Sequence, residues 1–166
     1  MLTRYANADA VIPTSMPVAS VGDTADATET ITTDDIEAYA RLVGDTNPIH
    51  VDDDYAQDTM FDGRVAHGML SAGIVSAALA ALDGDIVYLS QDIQFEAPVR
   101  PGDTVTATAE VLEDLGNDQL RVQTTVTATS DDTDDPTVVL SGDAIVMSVP
   151  HETRESMDAD AAASDD

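Results

Sequence analysis

The hydrophobic pattern of the chain changes its period near the middle. Before that point, apolar residues recur at helical spacing in two segments. The first predicted helix has Thr33 as its N-cap and stops at Gly44, and its apolar face is formed by Ile36, Tyr39, Ala40 and Val43. The second begins at His67 or Gly68 and runs to about Leu82, and it is apolar nearly all round. Such a helix is typically buried on most faces.

After the second helix, apolar and polar residues alternate, which predicts β-strands. One strand is predicted before the helices, at 25–31, and others within 87–97, 105–111, 120–128 and 137–149. Turn-forming residues separate them at 98–103, 116–118 and 131–136. The pattern predicts an α+β domain in which an antiparallel sheet surrounds a central helix. We expect one domain over residues 25–149, an irregular segment at 1–24, and an acidic, disordered tail at 150–166.

The connection between the two helices, residues 45–66, is long for a compact domain, and such connections are often functional. It begins within the run GDTNPIH, positions 44–50. Proline fixes its own φ and biases the preceding Asn47 toward an extended conformation, which stiffens the run. A stiff run can aim Asp45 and His50 into one cleft, where they can hold a water molecule between an acid and a base. A lone histidine is more often a structural hydrogen-bonding group, but the accompanying carboxylate makes this a candidate acid/base pair.

The start of the long helix, HGMLS at 67–71, is a second candidate feature. The first amides of a helix lack an internal partner and lie at the positive end of its dipole. Gly68 lets another group approach them, so they can stabilise an oxygen that gains negative charge; the simpler explanation is tight packing of a buried helix. Ser76 can hydrogen-bond a substrate or a catalytic group, although a helical serine more often bonds to its own helix backbone.

The sequence gives less support to a metal site or to nucleophilic catalysis. Four residues offer ligand atoms, but their spacing matches no known metal motif: Asp45, His50, Asp52 and His67. The chain has no cysteine, which excludes disulfides and thiolate sites, and it lacks a Gly-x-Ser-x-Gly elbow and a phosphate-binding glycine loop. We therefore expect no metal or cofactor, and we assign no role to His151.

The net charge is −27, from 33 acidic and 6 basic residues, and every basic residue is an arginine. A surface this acidic repels nucleic-acid phosphates and anionic lipids, which argues against both as partners. The acidic residues are spread along the chain, as in a surface adapted to high salt, where the screening length falls to about 3 Å at ~1 M. We expect a cytoplasmic protein of a salt-accumulating organism. The N-terminal residues lack an apolar signal-peptide region, and the longest apolar stretch, 65–82, is too interrupted for a membrane span.

Two motifs carry a resemblance to a known family. The first is YARLVGDTNPIHVD at 39–52, the second is FDGRVAHGML at 61–70, and the likeness extends through FEAPVRPGD at 95–103. Together they resemble the MaoC-like (R)-specific enoyl-CoA hydratases over about residues 30–149. The resemblance implies a hotdog fold, in which an antiparallel sheet wraps around a long central helix.

The resemblance also implies roles for individual residues. Asp45 and His50 would activate water and add it to a trans-2-enoyl-CoA, giving an (R)-3-hydroxyacyl-CoA. The Gly68 amide would polarise the thioester carbonyl, Ser76 would lie near the pair, and Asn47 would brace the segment. No metal or redox cofactor is implied, because the coenzyme A thioester is itself the substrate. A homodimer or a dimer of dimers is expected.

Other activities fit the same resemblance: an acyl-CoA thioesterase, a 3-hydroxyacyl-thioester dehydratase acting on acyl carrier protein, and an acyl-CoA-binding module. Thioesterases of this fold commonly carry a carboxylate on the central helix, and residues 66–82 contain no Asp or Glu, which favours the hydratase. An acidic carrier protein would be repelled at low salt, and binding alone needs no acid/base pair. Hydration would serve fatty-acid oxidation or polyhydroxyalkanoate precursor supply. Arg64 and Arg100 are candidates for contacts with the CoA nucleotide.

Overall fold

The computed structural model describes residues 18–130 and 133–151. The segment expected to be irregular (1–24) and the tail expected to be disordered (150–166) lie mostly outside these residues. Within the described part, the elements follow in the order β1 (Thr24–Thr30), α1 (Thr33–Val43), α2 (Pro48–Val51), α3 (Asp53–Gln57), α4 (Gly68–Ala80), β2 (Asp85–Gln91), β3 (Gln94–Phe95), β4 (Thr104–Gly116), β5 (Gln119–Ser130) and β6 (Thr133–Val149). The expected α+β class is confirmed.

The strands form one antiparallel sheet in the order β1-β4-β5-β6-β2, and the short β3 pairs with β6. Buried residues alternate along β4 and β5 and face each other across the ladder, as Ala107 faces Val126 and Val111 faces Val122. Because successive side chains of a strand point to opposite faces, these residues make one apolar face. α4 packs against that face and contacts β1, β2, β4 and β5.

α4 is buried on one side, which differs from the expectation of burial on most faces. Its inner side is formed by Ser71, Ala72, Ile74, Val75, Ala78 and Leu79. On the outer side Met69 is 55% exposed, and Gly73, Ser76 and Ala77 are exposed as well. The sheet of one chain covers only one side of the helix, so the small residues on its outer side remain open.

Three element boundaries differ from the sequence prediction. The N-cap of α1 is Thr32 rather than Thr33, because the Thr32 hydroxyl accepts from the Asp35 amide while the Asp35 carboxylate accepts from the Thr32 amide. The last strand begins at Thr133, where pairing with Ser130 extends the ladder into the acidic segment expected to be a turn. The strand expected within 87–97 is split into β2 and β3.

Candidate active site

A main cavity of about 680 Å³ opens between α1, the connection after it, the first turn of α4 and the segment 95–99. Most of its wall is apolar. The polar side chains of Asp45, His50, His67 and Ser71 line it, together with Gly68 at the start of α4. The two motifs that stand apart in the sequence therefore meet in one cavity.

His50 lies on the single turn of α2 and is 7% exposed. Asn47, the residue before Pro48, is extended as expected (φ −53°, ψ 129°), and its carbonyl accepts from the His50 amide at 2.9 Å. The ring Nδ1 lies 2.8 Å from the carbonyl oxygen of Val65. Because a carbonyl only accepts, Nδ1 carries the hydrogen, and Nε2 of the neutral ring keeps a lone pair that can take a proton.

Asp45 follows Gly44, whose left-handed backbone (φ 80°) ends α1 and turns the chain toward the cavity. The carboxylate is exposed, and its Oδ1 accepts from the Asn47 amide at 3.2 Å. Asn47 thus braces Asp45 through its main chain, while it does not line the main cavity. The sequence prediction that Asp45 and His50 face one cleft agrees with this geometry.

His67 joins the two residues of the pair. Its Nε2 donates to the backbone carbonyl of Asp45 at 2.9 Å, and its ring stacks on that of His50 with centroids 3.9 Å apart. The ring of Tyr39 packs beside it at 5.0 Å. Within the described residues, Nδ1 of His67 is buried and has no hydrogen-bond partner. The sequence singled out His67 only as a helix start and a possible ligand, because a contact with a residue 22 positions away has no local signal.

Gly68 is the first residue of α4, so the first-turn amides of that helix border the main cavity. A Cβ at this position would lie 2.7 Å from the Phe95 ring, which means that a side chain here would displace that ring. Packing against Phe95 thus accounts for the glycine itself, whereas the first-turn amides are candidates for an anionic oxygen because they lie at the positive end of the helix dipole. The serine that lines the cavity is Ser71; Ser76 lies on the exposed outer side of α4 and is not brought to the cavity.

A ring nitrogen of each histidine and a carboxylate oxygen of Asp45 all lie within 4.8 Å of one another. His50 and His67 each use one ring nitrogen for a backbone carbonyl, which leaves one nitrogen per ring. Asp52, the fourth possible ligand from the sequence, does not belong to this cluster, because it caps α3 by accepting from the Tyr55 amide.

Arg64 is a structural cation, with a side chain that is only 9% exposed. It pairs with Asp53 at 2.8 Å and Glu37 at 3.6 Å, and it donates to the carbonyl of His50. It therefore holds the segment that carries His50 against α1 and α3, and its charge is paired with the two carboxylates. His151 pairs with Asp85 at 2.8 Å, far along the chain from the cavity residues. In the described part of the chain, no helix has both the length and the apolar character needed to cross a membrane.

Known proteins resemble this chain in both sequence and fold. A family model described as a MaoC like domain matches residues 18–134. An (R)-specific enoyl-CoA hydratase of Rhodospirillum rubrum is 53% identical over 92 residues, which cover 54% of this chain and 64% of that protein, just under two thirds of its length. A 3-hydroxybutyryl-CoA dehydratase of Methylorubrum extorquens is 41% identical over 118 residues, covering 70% of this chain and 72% of that protein.

Among solved structures, the unliganded R-hydratase PhaJ1 from Pseudomonas aeruginosa superposes with a TM-score of 0.71 at 35% identity, covering 81% of this chain and 87% of that one. An (R)-hydratase from Aeromonas caviae superposes with the same TM-score at 28% identity. These likenesses confirm the expected hotdog fold. Because the family model spans most of the chain and includes both motifs, this protein belongs to the MaoC-like domain family.

Proposed function

We propose that this protein is an (R)-specific enoyl-CoA hydratase, a hydro-lyase that reversibly adds water to a trans-2-enoyl-CoA. The observation that carries the proposal is the placement of the Asp45 carboxylate and the His50 ring in one cavity, beside the first turn of α4. The names of the relatives, both hydratases and dehydratases, describe the two directions of this one reaction.

In the proposed reaction a water molecule lies between Asp45 and His50. One of the two groups takes a proton from the water as its oxygen attacks C3, and the other gives a proton to C2. The double bond is consumed, and no redox partner is required.

The electrophile is activated at the start of α4. As the nucleophile attacks, negative charge develops on the thioester oxygen, and the Gly68 amide at the positive end of the helix dipole stabilises it. The close approach required here is consistent with a glycine whose Cα is already covered by Phe95. We propose Asn47 as the brace of the segment. Ser76 lies on the outer side of α4, away from the cavity, so the α4 serine placed for a substrate contact is Ser71.

Three alternatives use the same cavity. A thioesterase of this fold would commonly carry a carboxylate on the central helix, and α4 contains no Asp or Glu. A dehydratase acting on a carrier protein would use the same acid/base pair, so it differs from the proposal only in the carrier. An acyl-CoA-binding module would not need the paired Asp45 and His50.

One assay separates these activities. The purified protein is incubated with crotonyl-CoA in high-KCl buffer, while loss of the enoyl absorbance and release of free thiol are followed together. Hydration without thiol release is expected. Thiol release without hydration would establish a thioesterase instead, and binding without turnover would establish a binding module. Turnover of a carrier-protein substrate in preference to crotonyl-CoA would establish the carrier-protein dehydratase.

We also propose that the reaction needs no metal ion or other cofactor. Hydration of an activated enoyl thioester can proceed by proton transfer alone, and each histidine already uses one nitrogen for a backbone carbonyl. Activity that survives dialysis against a chelator is the expected result. Loss of activity that Zn²⁺ or Mg²⁺ restores would overturn this proposal.

The free edge of the sheet supports a homodimer. β2 is an edge strand, and three consecutive large residues on it are partly exposed, namely Val87, Tyr88 and Leu89. The opposite edge, β1, carries Asp26 and Glu29 among threonines. Charged edges resist pairing and apolar edges favour it, so we propose that a second copy pairs along β2.

The charge supports a protein that works in concentrated salt, in the cytoplasm of a salt-accumulating organism. At a net charge of −27, self-repulsion opposes the compact state, and salt screens it. Unfolding followed as a function of KCl concentration should show a large gain in stability toward high salt. Full stability in dilute buffer would contradict this proposal.

A further inference from the structure

The proposed substrate is an anion, whereas the protein carries a net charge of −27. The carrier arm of an acyl thioester bears phosphate, and in the concentrated salt proposed above only charged groups close to that phosphate act on it, because the screening length falls to about 3 Å at ~1 M. Productive binding therefore needs a local positive charge near the mouth of the main cavity.

Three of the arginines that the structure describes are already neutralised. Arg41 pairs with Glu37 at 3.8 Å and Arg64 with Asp53 and Glu37. Arg121 pairs with Glu113 at 2.9 Å and Asp143 at 3.9 Å. These charges lie in ion pairs of the fold.

Arg100 differs from these three, since its guanidinium forms no ion pair with any residue in the described part of the chain. An Nη atom of the guanidinium donates to the carbonyl of Phe61, a residue that lines the main cavity. That bond sets the cation at the rim of the cavity, and the other guanidinium donors remain available to a ligand.

A smaller groove, lined by Arg100, lies next to the main cavity. It has a volume of about 190 Å³ and shares Pro98 and Val139 with the cavity. The hydroxyl residues Ser130 and Thr137 also line it. One carboxylate, that of Asp103, lies there too, and it accepts from the backbone amide of Arg100 at 2.8 Å.

We propose that Arg100 binds the phosphate of the phosphopantetheine arm as the arm leaves the main cavity through this groove. Coenzyme A and acyl carrier protein share that phosphate. A guanidinium can bind two phosphate oxygens at once, and the hydroxyls of the groove can add further hydrogen bonds. The proposal rests on the proposed function. It assigns the phosphate contact to Arg100 and not to Arg64, whose charge is already paired with Asp53 and Glu37.

The test compares three thioesters that differ only in their carrier: crotonyl-pantetheine, crotonyl-phosphopantetheine and crotonyl-CoA. Arg100→Gln should raise KM on the order of tenfold for the two phosphate-bearing substrates and leave kcat nearly unchanged. KM for crotonyl-pantetheine, which has no phosphate, should not change. Arg100→Lys should reverse part of the rise in KM, because lysine keeps the positive charge but lacks the planar guanidinium that can donate two parallel hydrogen bonds.

Arg41→Gln is the matched control, since it removes an exposed arginine on α1 and should leave all three KM values unchanged. An equal rise in KM for crotonyl-pantetheine would overturn the proposal by showing a role unrelated to phosphate. A rise confined to crotonyl-CoA would also overturn it, because the contact would then be with the nucleotide. If the native protein hydrates none of the three substrates, the proposed function itself fails, a result distinct from hydration that is insensitive to Arg100.

Discussion

His67 donates a hydrogen bond from Nε2 to the backbone carbonyl of Asp45 at 2.9 Å, and its ring stacks on His50. One buried side chain therefore positions both members of the proposed acid/base pair. Because its Nε2 is used for that bond and its Nδ1 is buried, we expect it to act as a positioning residue. Errors of about 1 Å in such an arrangement can cost about 10²-fold in rate.

Two substitutions at position 67 separate the hydrogen bond from the stacked ring. His67→Phe keeps an aromatic ring and removes the donor, so kcat for crotonyl-CoA hydration should fall on the order of 10- to 100-fold with little change in KM. His67→Gln places an amide N–H where Nε2 lies and should retain much more of kcat. Steady-state kinetics decides, and a larger loss of kcat in His67→Gln than in His67→Phe would show that the ring rather than the bond matters.

The acid/base pair gives the largest expected effect. Asp45→Asn and His50→Asn should each lower the rate by about 10²–10⁴-fold or more while the circular dichroism spectrum stays native. Asparagine at position 50 can keep a donor toward Val65 and loses the basic nitrogen. Asp54→Asn, which removes an exposed carboxylate on α3, should be neutral. Near-native turnover in either catalytic variant would refute the assigned roles.

Gly68 and Gly73, both on α4, allow a matched comparison of glycine-to-alanine substitutions. Gly68→Ala would bring a methyl group to 2.7 Å from the Phe95 ring, whereas Gly73→Ala meets nothing within 4 Å. The first should reduce hydration by roughly tenfold, because Phe95 or the helix start must shift against the oxyanion position. The second should leave kcat unchanged and raise the free energy of unfolding by about 1 kcal/mol, since alanine is the better helix former. Urea unfolding and kinetics on both variants test this.

The N-cap of α1 makes the stability of the protein depend on pH through the carboxyl of Asp35. The hydroxyl and the backbone amide of Thr32 both donate to the Asp35 carboxylate and lower the pKa of that carboxyl below its usual 3.8. A lowered pKa adds stability above pH 3.8, and that stability is lost as the pH falls through the folded-state pKa. Thr32→Ala should raise the pKa of Asp35 toward 3.8 in a carboxyl NMR titration. Thr33→Ala should not, and the reverse result would restore Thr33 as the cap.

The apolar edge of the sheet predicts a change in assembly. Val87→Lys on β2 should convert the proposed dimer to a monomer in sedimentation equilibrium at high KCl, because a buried lysine opposes strand pairing. Thr24→Lys on the other edge strand, β1, is the control and should leave the mass unchanged. A native protein that is monomeric at all concentrations would contradict the dimer.

Local patterns predicted most of the fold. The two-residue period of β4 and β5 identified the buried face, and Gly44 identified the end of α1. Cap and edge positions were less predictable: Thr32 and Thr33 have the same chemistry, and only the contact with Asp35 distinguishes them. Residues near Pro136 locally favour a turn, but they lie in β6 because the chain there pairs with β5.

The site was predictable where its residues are close in sequence. Asp45 and His50 lie on one stiff run, so their shared cleft followed from the chain itself. The bond from His67 to Asp45 spans 22 residues and depends on how the connection folds back, which no local pattern encodes. Ser76 was expected near the pair from its spacing on the helix, but the sheet sets which side of α4 is inward, and Ser76 lies on the other.

The bonds from His50 to Val65 and from His67 to Asp45 tie opposite ends of the same connection to each other. His50, a member of the proposed acid/base pair, and His67, its proposed positioning residue, thus also hold the loop in place. Ordering so long a loop costs conformational entropy, and these two bonds help to offset it. Replacement of either histidine by a residue without a matching hydrogen-bond donor would therefore loosen the loop and slow the proposed reaction together, so the order of the loop and its proposed chemistry depend on the same two side chains.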